Sequence, residues 1–166
     1  MSNIIEPPWL IEARKHIGQT EIKGPKHNPF IAGLWKIIGL AGIKDDETPW
    51  CAAFVGAMLE NVGIKSPRSG RAQSFMSWGD SVPAPFVGAI VVFTRDGGGH
   101  VGIVIGKDAR GNLMVLGGNQ SDMVKISAFP HSRVTGYRKP VGYLVPAANY
   151  RLPVLAGDGK LSTNEA

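Results

Sequence analysis

The periodicity of the chain changes once, near Pro85, and that change limits the folds open to it. Upstream, apolar residues recur every three or four positions behind helix-start signals, with proline at the first helical position. Pro8 opens a segment with Trp9, Leu10, Ala13 and Ile17 on one face, expected to run to about Gly18. Asn28-Pro29 caps a second, striped by Phe30, Ile31, Leu34, Ile37 and Ile38. Thr48-Pro49 starts a third, from about Pro49 to Val62 with Gly63 as its stop, and a short helix is expected around Arg71 to Trp78. Downstream, Val87–Thr94, His100–Gly106 and Leu113–Gly117 are β-branched runs separated by glycine-rich or polar turns, followed by shorter candidates at Val124–Ser127 and Val134–Arg138. Short turns between consecutive strands predict an antiparallel meander. Helices first and then sheet define an α+β fold. Residues 1–146 read as one domain and 147–166, which lose periodicity, as a C-terminal tail.

Composition removes several classes of function. At 166 residues the chain is long enough to fold without disulfides, and its single cysteine, Cys51, excludes both an internal disulfide and any zinc site built from several thiolates. The net charge of +5 favours anionic partners, but the basic residues are scattered and are not interleaved with aromatics, so nucleic acid is not expected as a partner. No apolar run reaches the 18 or so residues of a membrane span, and the N-terminal MSNIIEPPWLIEARKH lacks the features of a secretory signal. A protein made in the cytoplasm, monomeric and not stably inserted in a membrane, is the expectation.

Cys51 is the residue with most chemical potential. Three residues after Thr48, it falls in the first turn of the third helix, where unpaired N–H groups and the positive end of the dipole stabilise a thiolate. A lone cysteine also serves as a small buried hydrophobe, so a base is needed to distinguish the two. Among the four histidines, His16 lies on a charged helix face and His27 and His131 in polar or proline-bounded loops, whereas His100 opens an apolar strand after three glycines. If that strand pairs with Leu113–Asn119 around a turn near residue 109 or 110, Asn119 comes to lie beside His100. An amide there can fix the imidazole tautomer as the third member of a Cys-His-Asn arrangement, with Asp122 as the competing candidate.

These residues together resemble the phage-associated cysteine peptidoglycan hydrolases related to the CHAP (cysteine, histidine-dependent amidohydrolase/peptidase) and NlpC-type domains. The resemblance rests on Thr48-Pro49-Trp50-Cys51-Ala52-Ala53-Phe54-Val55, Gly88-Ala89-Ile90-Val91-Val92-Phe93, Gly99-His100-Val101-Gly102 and Val115-Leu116-Gly117-Gly118-Asn119-Gln120, and extends from about Trp9 to Tyr143, including Ser132–Arg138. It implies a papain-like fold whose domain, residues 1–146, is catalytic, with Cys51 and His100 as catalytic residues and Asn119 as the third. It also implies cleavage of an amide bond in the peptide part of the cell wall, as an N-acetylmuramoyl-L-alanine amidase or an endopeptidase. Trp50, beside the nucleophile, either lines the substrate groove or packs in the interior, and with Gln120 it is a candidate substrate-binding residue. No cofactor is implied, and the Asp-x-Asp loops that hold calcium in some relatives have no counterpart here. The partner expected is bacterial peptidoglycan. The corresponding location is the host cytoplasm, followed by the wall after holin- or injection-dependent release. A non-catalytic tail or wall-binding module, or an injected antibacterial effector, is the alternative role.

Overall fold

Proline and one asparagine set where the first helices begin. The computed structural model describes residues 3–23, 26–43, 49–95 and 98–157. α1 (Pro8–Arg14) and α2 (Pro29–Ile37) each carry proline in the first turn, where a missing N–H leaves no helical bond unmade. Asn28 completes the second start, its Oδ1 accepting from the N–H of Phe30 at 2.8 Å and of Ile31 at 3.4 Å. α1 stops before the expected Gly18. That glycine adopts φ +101° and its N–H donates to the Val124 carbonyl at 2.8 Å, which draws the chain off the helix axis onto the sheet.

α3 (Cys51–Asn61) begins at Cys51 rather than at Pro49, and the expected cap Thr48 lies outside the described residues. Its end is as expected, with Gly63 at φ +82° just beyond. Every residue from Cys51 to Leu59 is buried. A helix apolar all round must be covered on all sides, and α3 is: α1 and α2 lie against it on one flank, β3 and β4 on the other.

The sheet consists of β1 (Asp80–Val82), β2 (Ile90–Arg95), β3 (Gly98–Lys107), β4 (Leu113–Gln120), β5 (Met123–Phe129) and β6 (Val134–Lys139). All neighbours are antiparallel, in the order β1-β6-β2-β3-β4-β5. The meander expected from the turns is therefore real for β2 to β5, but β6 crosses back to the far edge of β2. The three residues of β1 then pair with β6, in a stretch whose pattern is too short to register as a strand.

Alternation along the strands separates two apolar layers. Ile90, Val92, Val101, Ile103, Met114 and Leu116 face the helices, whereas Val91, Phe93, Val104, Leu113 and Val115 form a second cluster with Phe86 and Ala89. Phe129, Tyr137, Tyr143, Val145 and Leu152 pack over that second cluster. Burial of both faces explains why β2 reads as an unbroken apolar run rather than an alternating one.

The boundary at residue 146 needs correction. Asn149 is fully buried; its Oδ1 accepts from the Ile5 N–H at 3.0 Å and its Nδ2 donates to the carbonyls of Ile5 and Val87 at 2.8 and 3.0 Å. Val154 then bridges to Lys107, and Leu155 is buried. Residues 147–155 are thus part of the domain. They carry no period because single side chains and backbone bonds, not a repeating face, hold them.

Candidate active site

Two adjacent glycines mark the place where α3 and β3 meet. Gly118 lies against the start of α3: a Cβ built on it would stand 2.6 Å from the Trp50 ring and 2.7 Å from the Phe54 Cβ. Gly117 faces the other way, toward His100, whose Nε2 would be 3.5 Å from a Cβ at that position. The start of α3, where Cys51 lies, therefore packs on Gly118, while His100 of β3 stands beside the neighbouring Gly117 near the end of β4. At Gly99, just before His100, the Gln73 side chain fills the space that a Cβ would take.

Cys51 is 4% exposed. Its position at the N-terminus of a long helix is the one read from the sequence. His100 is buried as well, its ring stacked on Phe129 at 5.3 Å between centroids and flanked by Phe93 at 6.1 Å.

The partner of the imidazole is Gln120, not Asn119. The Oε1 of Gln120 lies 2.9 Å from His100 Nε2, while its Nε2 donates to the carbonyls of Val115 at 3.2 Å and Lys125 at 2.8 Å. Because both amide hydrogens are directed at carbonyl oxygens, the amide oxygen must be the atom that faces the ring. His100 Nε2 must then carry the proton and donate it, which leaves Nδ1 as the basic nitrogen.

The expected register is present, but a bulge changes its consequence. Ile103 pairs with Leu116 and Val104 with Val115, which puts His100 level with Asn119. Between Gly117 and Gln120 the pairing with β5 shifts, and Asn119 takes φ +58°. Strict alternation would place residue 119 on the face of Gly117 and residue 120 on the opposite one. The left-handed Asn119 breaks the alternation, so Gln120 swings onto the His100 face and its Oε1 occupies the space a side chain at 117 would fill. Ser121 and Asp122 also lie in the left-handed region, at φ +53° and +60°, and Asp122 is exposed on the turn beyond, where only its backbone carbonyl is engaged, by Glu21.

Two further expectations are corrected. Trp50 is fully buried, with its Nε1 donating to Glu21 Oε1 at 2.7 Å, and it packs the helix start instead of lining a substrate groove. Gln120 is 5% exposed, and although it borders the cavity beside His100, its hydrogen bonds run to the His100 ring and to the Val115 and Lys125 carbonyls, which makes it first a positioning partner of the imidazole. Asn119 remains on the wall of a cavity of about 280 Å3 beside His100, together with Ser121, Ser127, Phe129 and Arg133. Phe129 carries no signal in the sequence, and Arg133, though part of the stretch Ser132–Arg138, is not marked there as a site residue because nothing local shows that it folds back beside His100. Among the described residues no group of three His, Cys, Asp or Glu is arranged to hold a metal ion, and no helix is long and apolar enough to cross a membrane.

A helical subdomain whose central helix starts with cysteine, packed on an antiparallel sheet in which histidine is the third residue of a central strand, defines the papain-like α+β class. In accord with this, residues 43–119 match the family model of the CHAP domain, a stretch that includes Cys51, His100 and Asn119. The fold is similar to the structure of the peptidoglycan hydrolase RipB from Mycobacterium tuberculosis, with a TM-score of 0.50 and 17% identity over 82% of this chain. The likeness spans 64% of the RipB chain, less than two thirds of its length. No curated protein matches the sequence.

Proposed function

We propose that the protein is a cysteine peptidoglycan hydrolase that cleaves an amide bond in the peptide part of the bacterial cell wall. The observation that carries this reading is the anchored imidazole. His100 is held by Gln120 through Nε2, with Nδ1 left as the base, on the strand next to the one whose Gly118 packs against the start of α3, the helix that begins with Cys51. The match to the CHAP domain and the likeness to a peptidoglycan hydrolase support the choice of substrate.

In this mechanism His100 Nδ1 takes up the proton of the Cys51 thiol and the thiolate attacks the amide carbonyl. The imidazolium then gives its proton to the leaving amine, and water admitted afterwards hydrolyses the thioester with His100 again as base. The N–H groups of the first turn of α3, Cys51 among them, are oriented to stabilise the oxyanion. Loss of one such donor typically costs about 3 to 4 kcal/mol of transition-state stabilisation. Gln120 contributes as a positioning residue: it selects the tautomer and offsets the charge that develops on the ring. Asn119 stands beside the imidazole at the cavity wall, where its side chain is placed to meet substrate.

The biological setting consistent with this chemistry is that of an endolysin-type enzyme. It would act as a monomer after release to the wall from the cytoplasm of an infected host, and net charge +5 would favour approach to an anionic envelope. Incubation of purified sacculi with wild type and with Cys51→Ala, followed by mass spectrometry of soluble products, tests the function and its bond. Sugar chains freed of peptide, released only by wild type, identify an amidase; severed stem peptides or cross-bridges identify an endopeptidase. Equal release by both proteins would remove Cys51 from the chemistry.

A further inference from the structure

The cavity beside His100 is lined by a cation, Arg133, that has no acidic partner among the described residues. Arg133 is anchored by its Nε, which donates to the Thr94 carbonyl at 3.3 Å, and by two aromatic rings, its Cζ lying 5.5 Å from the centroid of Phe129 and 5.9 Å from that of Phe93. Its terminal nitrogens have no hydrogen-bond or acidic partner among the described residues, although a guanidinium offers a rigid fork of donors. The same rings that hold the guanidinium also stack on the His100 imidazole, so the charge is fixed relative to the base.

The rest of the lining is selective in the same sense. Asn119, Ser121 and Ser127 contribute an amide and two hydroxyls able to donate, and among the described residues no aspartate or glutamate lines the cavity. A recess of about 280 Å3 with donors, one oriented guanidinium and no carboxylate among the described residues is complementary to a small anion, and a planar carboxylate fits the guanidinium fork with two parallel bonds.

We propose that Arg133 and the cavity it caps form a subsite for a free carboxylate of the peptide substrate, and that this contact makes the enzyme selective for stems that retain a carboxylate over stems in which it is amidated. The inference rests on the peptidoglycan-hydrolase reading for the identity of the peptide. Arg133 is a specificity-determining residue here and takes no part in proton transfer.

Binding separates this proposal from the hydrolase reading. The Cys51→Ala protein, which cannot turn over substrate, is titrated calorimetrically with a purified disaccharide-tetrapeptide, and with the same compound after carbodiimide-mediated amidation of its carboxylates. Loss of a charge-assisted bond usually weakens binding by about 10- to 100-fold, and that is the ratio expected between the two ligands. Arg133→Gln in the same background should bind both at the weaker level, and Arg133→Lys, which keeps the charge but not the fork, should fall between. Circular dichroism of the variants controls for folding. Equal binding of the two ligands, no binding of either, or a carboxylate preference that survives Arg133→Gln would overturn the subsite. Failure of the wild type to release fragments from sacculi would overturn the hydrolase reading instead, without altering the carboxylate preference measured by binding.

Discussion

Gln120 performs its task through an exchange of positions that only one backbone conformation allows. With Asn119 at φ +58°, the amide of residue 120 replaces the absent side chain of residue 117 and meets His100 Nε2 at 2.9 Å. Three substitutions test this at the level of single atoms. Gln120→Ala should leave the fold intact but lower kcat on sacculi by about 100-fold, since the imidazole loses both its orientation and its tautomer preference. Gln120→Glu keeps an acceptor for His100 Nε2 but turns its second oxygen against the carbonyls of Val115 and Lys125, so it should restore only part of the kcat lost in Gln120→Ala. Gly117→Ala should reproduce much of the Gln120→Ala defect without touching Gln120 itself, because its Cβ needs the space that Gln120 Oε1 occupies. A Gln120→Ala protein with unchanged kcat and an unchanged pH profile would assign the residue a packing role only.

Elements were legible in the sequence wherever a repeating face or a cap defines them. Asn28 was readable as a cap, β2 to β5 as β-branched runs, and Cys51 as a first-turn residue, because each signal is local. The partner of His100 was not: register alone points to Asn119, and the bulge that substitutes Gln120 depends on β5 and on a left-handed asparagine that no alternation pattern reveals. At the same scale, Gly118 sets the seat of the nucleophile helix. Gly118→Ala would press a Cβ into Trp50 and Phe54, an overpacking expected to cost about 1 to 3 kcal/mol in urea unfolding.

The far end of α3 carries an electrostatic lock. Glu60 accepts from the Ser66 N–H and hydroxyl, both at 2.9 Å, and from Arg68 Nε at 3.1 Å. Hydrogen bonding from Arg68, with the Ser66 donors, outweighs the opposing effect of burial and holds its carboxyl at about 2. A folded-state pKa below the unfolded value means that the ionised carboxylate stabilises the fold above about pH 4.5, and that this contribution is lost as pH falls from there toward 2. The melting temperature should accordingly drop more steeply over that window in wild type than in Glu60→Gln, as scanning calorimetry would show. Parallel profiles would mean that the lock contributes nothing.

At the scale of the molecule, the two ends of the described chain are joined under the sheet. Asn149 ties the segment at Ile5 to Val87, just before β2, and the following residues run to Val154 and Leu155 beside Lys107 at the end of β3. Helices and sheet are thereby closed around α3, whose first residue is the nucleophile of the proposed reaction. Asn149→Ala leaves the buried Val87 carbonyl without this donor and should cost about 2 kcal/mol in denaturant unfolding while leaving the site chemistry in place. The account as a whole rests on Cys51 acting through an imidazole that Gln120 orients. The most direct test is a parallel assay of fragment release from sacculi by wild type, Cys51→Ala, Gln120→Ala and Asn119→Ala under reducing conditions. The account predicts no release with Cys51→Ala, a larger loss with Gln120→Ala than with Asn119→Ala, and unchanged folding in all three. Wild-type release by Cys51→Ala, or a folded Gln120→Ala protein with full activity beside an inactive Asn119→Ala, would contradict it.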